Sequence, residues 1–583
     1  MRFFSALFSL LGVVGLLTSC LTSKIKADYL LLNATVYTVD SAFAVAEAFA
    51  VKDGKILEVG TSEEIKREFQ SDSIIDASGT FVYPGLIDAH CHFYYYGLGL
   101  KEVNLIGTVS FEEVINRLKD FSVSHPASKD GSRNDWLIGR GWDQNDWADK
   151  SFPDRKKLDS LFPDRPVLLT RIDGHAALAN KMAMKLAGIH AHTSIVGGKI
   201  EFNSGKDAVD WTDEISEKEM GRLNYPLQSP TGILIDNAVN LVSDIIPPSS
   251  RGDKIKALLD AQRDCFSNGL TTLDDAGLEK EIIFLIDSLQ RIGDLKMRIY
   301  AMLSSTDSNF NYFLKREKIK TERLNVRSFK FYADGALGSR GACLKRDYSD
   351  KKNWKGFLLQ QQEFFSRNAK LMFENGFQMN THCIGDSSDL VISEIYLEAT
   401  DAKKNPNEAF KKYRWRIEHA QVVSESDRNN FSGIIPSVQP THATSDMYWA
   451  EERLGKERVR EAYAYQSLLK KAGLVALGTD FPVEEISPIK TFYAAVFRKD
   501  KEGFPSGGFQ TEDALTREQA LRGMTIWAAF SNFEDEEKGS IEKGKFADFV
   551  LLDKDLMRAA EKEILSTKVL KTYLNGECVF DGK

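Results

Sequence analysis

The stretch PGLIDAHCH, Pro84 to His92, decides the fold. A turn pair opens it, a short apolar run follows, and two histidines two residues apart end it. Side chains alternate along a strand, so His90 and His92 point the same way. A buried strand that ends in paired polar side chains reads as a barrel strand opening into a site at its C-terminal end. Asp88 shares that face and is placed to orient a ligand from behind.

Working outward, the texture recurs. Apolar, β-rich runs occupy TFVYPGLIDAH (80–90), RPVLLTRIDG (165–174), GLTTLDDAG (269–277), VRSFKFYADG (326–335), FQMNTHCIGD (377–386), RWRIEHAQVV (414–423), IIPSVQPTHA (434–443) and GLVALGTDFP (473–482). Helix-like segments such as DKIKALLDAQRDCFSNG and KEIIFLIDSLQRIG separate most of them. Eight such runs alternating with helices predict an α/β chain folded as a (β/α)8 TIM barrel over 84–537. Residues 100–260 contain more chain than the early barrel units need. An insertion over the barrel mouth is expected there, rich in Trp and Gly (WLIGRGWDQNDW). Residues 28–83 and 538–583 read as short strands with hairpin turns at Asp53-Gly54 and Asn575-Gly576. They predict one small β-sandwich domain formed from both chain ends.

The bulk numbers exclude some classes. Of 583 residues, 43% are hydrophobic and 27% charged, as in ordinary globular proteins. The net charge of −8, with no long basic block, argues against a nucleic-acid partner. At the N-terminus Arg2 precedes fifteen uncharged residues, Phe3–Leu17, long enough for a signal sequence and short for a spanning helix. Leu17-Thr18-Ser19-Cys20 resembles the bacterial lipobox. Residues 1–19 are therefore expected to be a cleaved signal peptide. Cys20 is expected to carry the lipid of an exported, membrane-anchored lipoprotein, on the periplasmic or outer-membrane face. The other five cysteines show no disulfide framework and no CxxC spacing.

The remaining polar residues at strand ends carry chemistry. Lys330 stands in the middle of SFKFYADG, where a buried, unpaired ammonium is costly. A deprotonated lysine can add carbon dioxide, and the resulting carbamate can bridge two cations; a salt bridge to Asp334 is the alternative. His382 and His419 each follow a β run and can offer neutral imidazole nitrogens. Strand alternation would turn Glu418 away from His419. Asp480 ends the run LVALGTD and can both bind a metal and take the proton from an attacking water. Imidazoles with a carboxylate suit one or two divalent ions, zinc first among them.

These pieces together resemble the amidohydrolase superfamily, in particular its amidohydrolase-3, or YtcJ-like, branch. The resemblance rests on PGLIDAHCH (84–92), GWDQNDW (141–147), DGHAALAN (173–180), PTGILIDNA (230–238), GLTTLDDAG (269–277), KFYADGALGSR (330–340), THCIGD (381–386), RIEHAQ (416–421), GTDFPV (478–483) and GSIEKGKFADFVLLD (539–553). It implies that His90 and His92 bind the more buried metal and that Lys330 is the carboxylated bridge. It implies that His382 and His419 bind the second metal, and that Asp480 binds the first and acts as base. His175 and Arg340 match motifs that face the pocket and are expected to contact substrate or transition state, with capping or ion-pair roles as the alternative; Trp142 and Asp143 are expected to line the lid and bind substrate. Asp274 stands where relatives often carry histidine and is expected to touch substrate. The implied reaction is hydrolysis of a non-peptide C–N bond, in an amide or N-acyl compound. Ring deamination, dipeptide cleavage and a non-catalytic solute-binding lipoprotein are the alternatives. The expected partners are a small-molecule substrate and the membrane, with a homodimer left open.

Overall fold

The computed structural model describes residues 24–204 and 228–582. The expected signal peptide and Cys20 lie outside the described residues.

Eight parallel strands follow one another around a barrel: β1 Leu86–Cys91, β2 Leu270–Leu278, β3 Arg298–Ser304, β4 Leu324–Tyr332, β5 Gln378–Cys383, β6 Arg416–His419, β7 Ile435–Val438 and β8 Ala476–Leu477. Beyond the end of β8 the chain returns to β1. Asp480 N–H donates to His90 O and His92 N–H donates to Phe481 O, both at 2.8 Å. The chain is thus a TIM-barrel α/β protein. All nine residues of β2 are buried, as expected of a parallel strand covered on both faces. The helices around the barrel present one apolar face to it. Lys280–Ile292 buries Ile282, Ile283, Leu285, Ile286 and Leu289 and stops at Gly293, whose φ of 86° closes the last turn.

One expected barrel strand lies elsewhere. The run 165–174 was read as part of the barrel, but Val167–Arg171 pairs with Leu137–Trp142 in a separate six-stranded sheet. The third barrel position belongs instead to RIYAMLS, residues 298–304. Both runs are short and apolar, so periodicity alone does not separate them. What decides is the helix Lys280–Ile292, which brings RIYAMLS back beside β2 as a parallel neighbour.

The six-stranded sheet runs in the order Val103–Asn104, Leu137–Trp142, Val167–Arg171, Ala176–Ala179, Gln228–Asp236, Gly198–Ser204. It packs around Leu105, Leu118, Trp147, Leu169 and Ile233 on one side and Leu168, Met184 and Leu234 on the other. The chain ends form two further sheets. One has four strands between 29 and 76; the other combines 35–37, 45–46 and 81–84 with 549–552, 569–574 and 577–581. A single buried cluster joins them: Leu31, Phe49 and Val51 meet Val36, Val82, Phe549 and Tyr573. Phe49 and Phe549 touch edge-on at 5.0 Å between ring centroids.

Candidate active site

At the C-terminal ends of the strands lies a cavity of about 1150 Å³. That is room for a small substrate with its water. Five of the nine histidines of the chain line it: His92, His175, His382, His419 and His442. Lys330 and Asp480 line it as well, and His90 lies fully buried below.

β1, β4, β5, β6 and the segment after β8 carry the expected donors. His92 Nε2 is 3.2 Å and His90 Nε2 3.7 Å from Asp480 Oδ1. The His382 and His419 rings sit 4.4 Å apart between centroids, and His90 lies 4.9 Å from His419. Lys330 Nζ is 3.1 Å from His90 Nε2. Two donor triads share Asp480: His90 with His92, and His419 with His442. The ligand atoms of each triad lie within 4.8 Å of one another. His419 and Asp480 both hold positive φ, 73° and 62°, in the left-handed region that costs a non-glycine residue energy. A bent backbone thus carries both donors into the mouth, His419 at the end of β6 and Asp480 just past β8.

Burial holds three of the imidazoles, His90, His382 and His419, neutral, whereas at His442 burial is outweighed by the bonds to Asp480 and Glu484, which raise it. Burial takes His90 down to about 4 and sets His382 and His419 well below the usual histidine range. The neutral form is the one that ligates. His382 Nε2 and His419 Nδ1 are buried without a hydrogen-bond partner. Burial alone would raise Asp480, but hydrogen bonds from His442 and His92 outweigh it and hold the carboxyl well below its usual range. Burial also lowers the Lys330 ammonium to about 8. Asp334, the partner considered for Lys330, is committed elsewhere. It accepts from the N–H groups of Cys343, Ile384 and Gly385 and from the Ser388 hydroxyl, at 2.7–3.0 Å. Neutral imidazoles, orphaned ring nitrogens and an ionised carboxylate at one point make a donor set that fits divalent metal ions.

Two residues escaped the sequence reading. His442 follows β7 and holds Asp480 Oδ2 at 3.2 Å through Nε2, while its Nδ1 faces Glu484 at 3.1 Å. Its position in IIPSVQPTHA, at the end of a β run, was the available signal. Glu418 was expected only to turn away from His419, with no part in the site. Instead Glu418 Oε2 lies 2.5 Å from His90 Nδ1. Glu418 shares the inner strand face with Arg416, and His419 reaches the same centre because the chain leaves extended geometry there and at Ala420, with φ 73° and 41°. A carboxylate on the outer nitrogen of a ligating histidine fixes its tautomer and ring orientation. Glu418→Gln is therefore expected to weaken divalent-ion affinity by about 10- to 100-fold. A chelator-competition titration measures this, and unchanged affinity would refute the role.

Other expectations need correction. Asp274 does not line the cavity. It is fully buried under the centre, bonded to Arg416 at 2.8 Å and to Asn532 at 2.6 Å. Arg416 draws it into the barrel floor, so it is not placed to contact substrate. Arg340 bonds Asp350 at 2.8 Å and does not line the cavity. Trp142 is buried against Trp147 and Phe152, with its indole N–H given to Leu169 O at 2.8 Å. Both of these are structural. Asp143 does line the cavity, paired with Arg171. His175 faces the centre: its ring lies 4.9 Å from that of His382. Its Nδ1 is 2.8 Å from Asp236 Oδ1, so Nε2 is left toward the cavity.

The barrel and its donor set define a metal-dependent hydrolase. The chain belongs to the amidohydrolase family, whose model matches residues 73–580. It is 28% identical to a putative amidohydrolase, YtcJ, of Bacillus subtilis (strain 168), over 94% of this chain and 98% of that one. It is 25% identical to an N-substituted formamide deformylase of Arthrobacter pascens, over 94% and 97%. An uncharacterized metal-dependent hydrolase of Pyrococcus horikoshii shares the fold, with a TM-score of 0.69 at 25% identity, over 91% of this chain and 99% of that one.

Proposed function

We propose that the protein hydrolyses a non-peptide C–N bond of a small amide or N-acyl compound. The observation that carries this is the pair of donor triads meeting at Asp480 inside a substrate-sized cavity. The name of the Arthrobacter relative, a formamide deformylase, supports the same bond type. Bound divalent ions, with zinc proposed, would polarise the acyl carbonyl and make hydroxide available near neutral pH. Asp480, ionised and held by His442 and His92, accepts the proton of the attacking water. It then hands that proton to the nitrogen as the C–N bond breaks, giving a carboxylic acid and a free amine. His175, fixed through Nδ1, offers Nε2 to the acyl oxygen as charge builds there. Release of amine from formamides, N-acyl amino acids and dipeptides, measured side by side, tests the bond type. Release from dipeptides alone, or of ammonia from ring amines alone, would replace it.

Lys330 is proposed to carry a carbamate. Its nitrogen is buried, shifted toward the neutral form, and makes no direct ion pair with a carboxylate among the described residues, though Glu418 and Asp480 lie near enough to act on it. The amine adds to carbon dioxide with loss of one proton, and the product is an anion suited to two cations. Apoprotein refolded around metal in carbon-dioxide-free buffer is expected to recover little activity, and added bicarbonate to restore it. Equal recovery with and without bicarbonate would exclude the carbamate.

The two terminal sheets are proposed to act as a sandwich module, and the six-stranded sheet as an insertion roofing the mouth. Export and lipid anchoring at Cys20 remain part of the proposal, resting on the leader pattern. Among the described residues no helix is long and apolar enough to cross a membrane.

A further inference from the structure

The cavity contains one unusual cation. Its roof strand Leu137–Trp142 carries Arg140, which lines the cavity with Arg171 and Lys330. Arg171 is neutralised twice, by Asp143 and Asp173. Arg140 has no ion-pair partner among the described residues. One of its terminal nitrogens donates to Ile172 O at 3.0 Å, and its Nε is buried with no hydrogen bond at all. A guanidinium carries five donors in a rigid fork, and leaving them unpaired away from water is costly.

The local backbone is built to aim this side chain. The pairing of Leu137–Trp142 with Val167–Arg171 slips between Arg140 and Trp142. The slip is a bulge at Gly141, whose φ is 110°. A Cβ on Gly141 would fall 2.5 Å from Ile106 Cγ1 and 2.8 Å from Ile106 N, so only glycine fits. Bulges of this kind re-aim side chains beside active sites. Several of the lining acids, by contrast, are engaged. Asp173 holds Arg171, Asp236 holds His175, Asp446 holds Tyr463 and Glu484 holds His442. None of these four forms an ion pair with Arg140 among the described residues, although Asp480, Glu102 and Asp173 attract it through space.

We propose that Arg140 anchors a carboxylate on the substrate, which makes the substrate an N-acyl amino acid rather than a simple N-alkyl amide. This rests on the C–N hydrolysis reading above. The planar fork of arginine matches a carboxylate in two parallel bonds. With the carboxylate held on the roof strand, the acyl group extends toward Asp480 and His175. Tyr95, Tyr332 and Trp449 also line the cavity and offer surface for an aromatic side chain.

The test uses the metal-loaded protein and a matched pair, N-formyl-phenylalanine (each enantiomer) and N-(2-phenylethyl)formamide. The second lacks only the carboxylate. Calorimetric binding and amine release are both read. At least one enantiomer of the acid is expected to bind about 10- to 100-fold tighter than the neutral amide. Arg140→Gln should abolish that preference, and Arg140→Lys, which keeps the charge without the fork, should retain part of it. Equal binding of acid and amide, no binding of the acid at millimolar concentration, or a preference that survives in Arg140→Gln would each overturn the proposal. A preference in binding with no amine released would uphold the anchor and refute C–N hydrolysis instead.

Discussion

Asp480→Asn is expected to lower kcat about a thousandfold while the fold and its melting temperature stay close to those of the parent protein. Three histidines converge on this carboxylate: His92 on Oδ1, His442 on Oδ2, and His90 a little farther away. Their combined pull keeps it ionised against the penalty of burial. The amide has nearly the same shape, so packing is preserved. It offers no anion to a cation and accepts no proton from water, so both proposed roles end together. Steady-state kinetics with a thermal melt as control decide the matter. Activity within tenfold of the parent would remove Asp480 from the reaction.

The second large effect concerns stability. Arg416→Met is expected to destabilise the protein by about 3–5 kcal/mol, read as a shift in the urea unfolding midpoint. Arg416 is fully buried inside the barrel. It faces Glu418 at 2.7 Å and Asp274 at 2.8 Å, and also donates to Ala89 O and the Ser437 hydroxyl. Methionine fills a similar volume but leaves two carboxylates without their counter-charge. The same arginine holds Glu418 well below the carboxylate range, although burial alone would raise it, and Glu418 in turn orients His90. Loss of Arg416 should therefore also reduce metal content. A destabilisation under 1 kcal/mol would show that the barrel floor tolerates the unpaired acids.

The strand-end donors were legible because each stands at the end of an apolar run, where the position itself implies the direction of the side chain. PGLIDAHCH and LVALGTD are local patterns, and local patterns survive in a single sequence. What failed was non-local. RIYAMLS and RPVLLTRIDG look alike, and only the partner strand tells the barrel from the separate six-stranded sheet. Glu418 was passed over because alternation was applied through His419, whose positive φ breaks it. Arg340, Trp142 and Asp274 lie in the right motifs, yet each satisfies a partner in the fold: Asp350, the Leu169 carbonyl and Arg416. Hydrogen-bond partners far along the chain leave no periodic trace. Arg140 is the converse case, a residue that drew no notice until its lack of a partner became visible.

These side chains are expected to hold divalent metal for hydrolysis. The most direct measurement is elemental analysis of protein purified from metal-replete cultures, compared with His419→Ala. One to two divalent ions per chain are expected in the parent protein and clearly fewer in the variant. Less than about a tenth of an ion per chain in the parent, or a content unmoved by His419→Ala, would contradict the account.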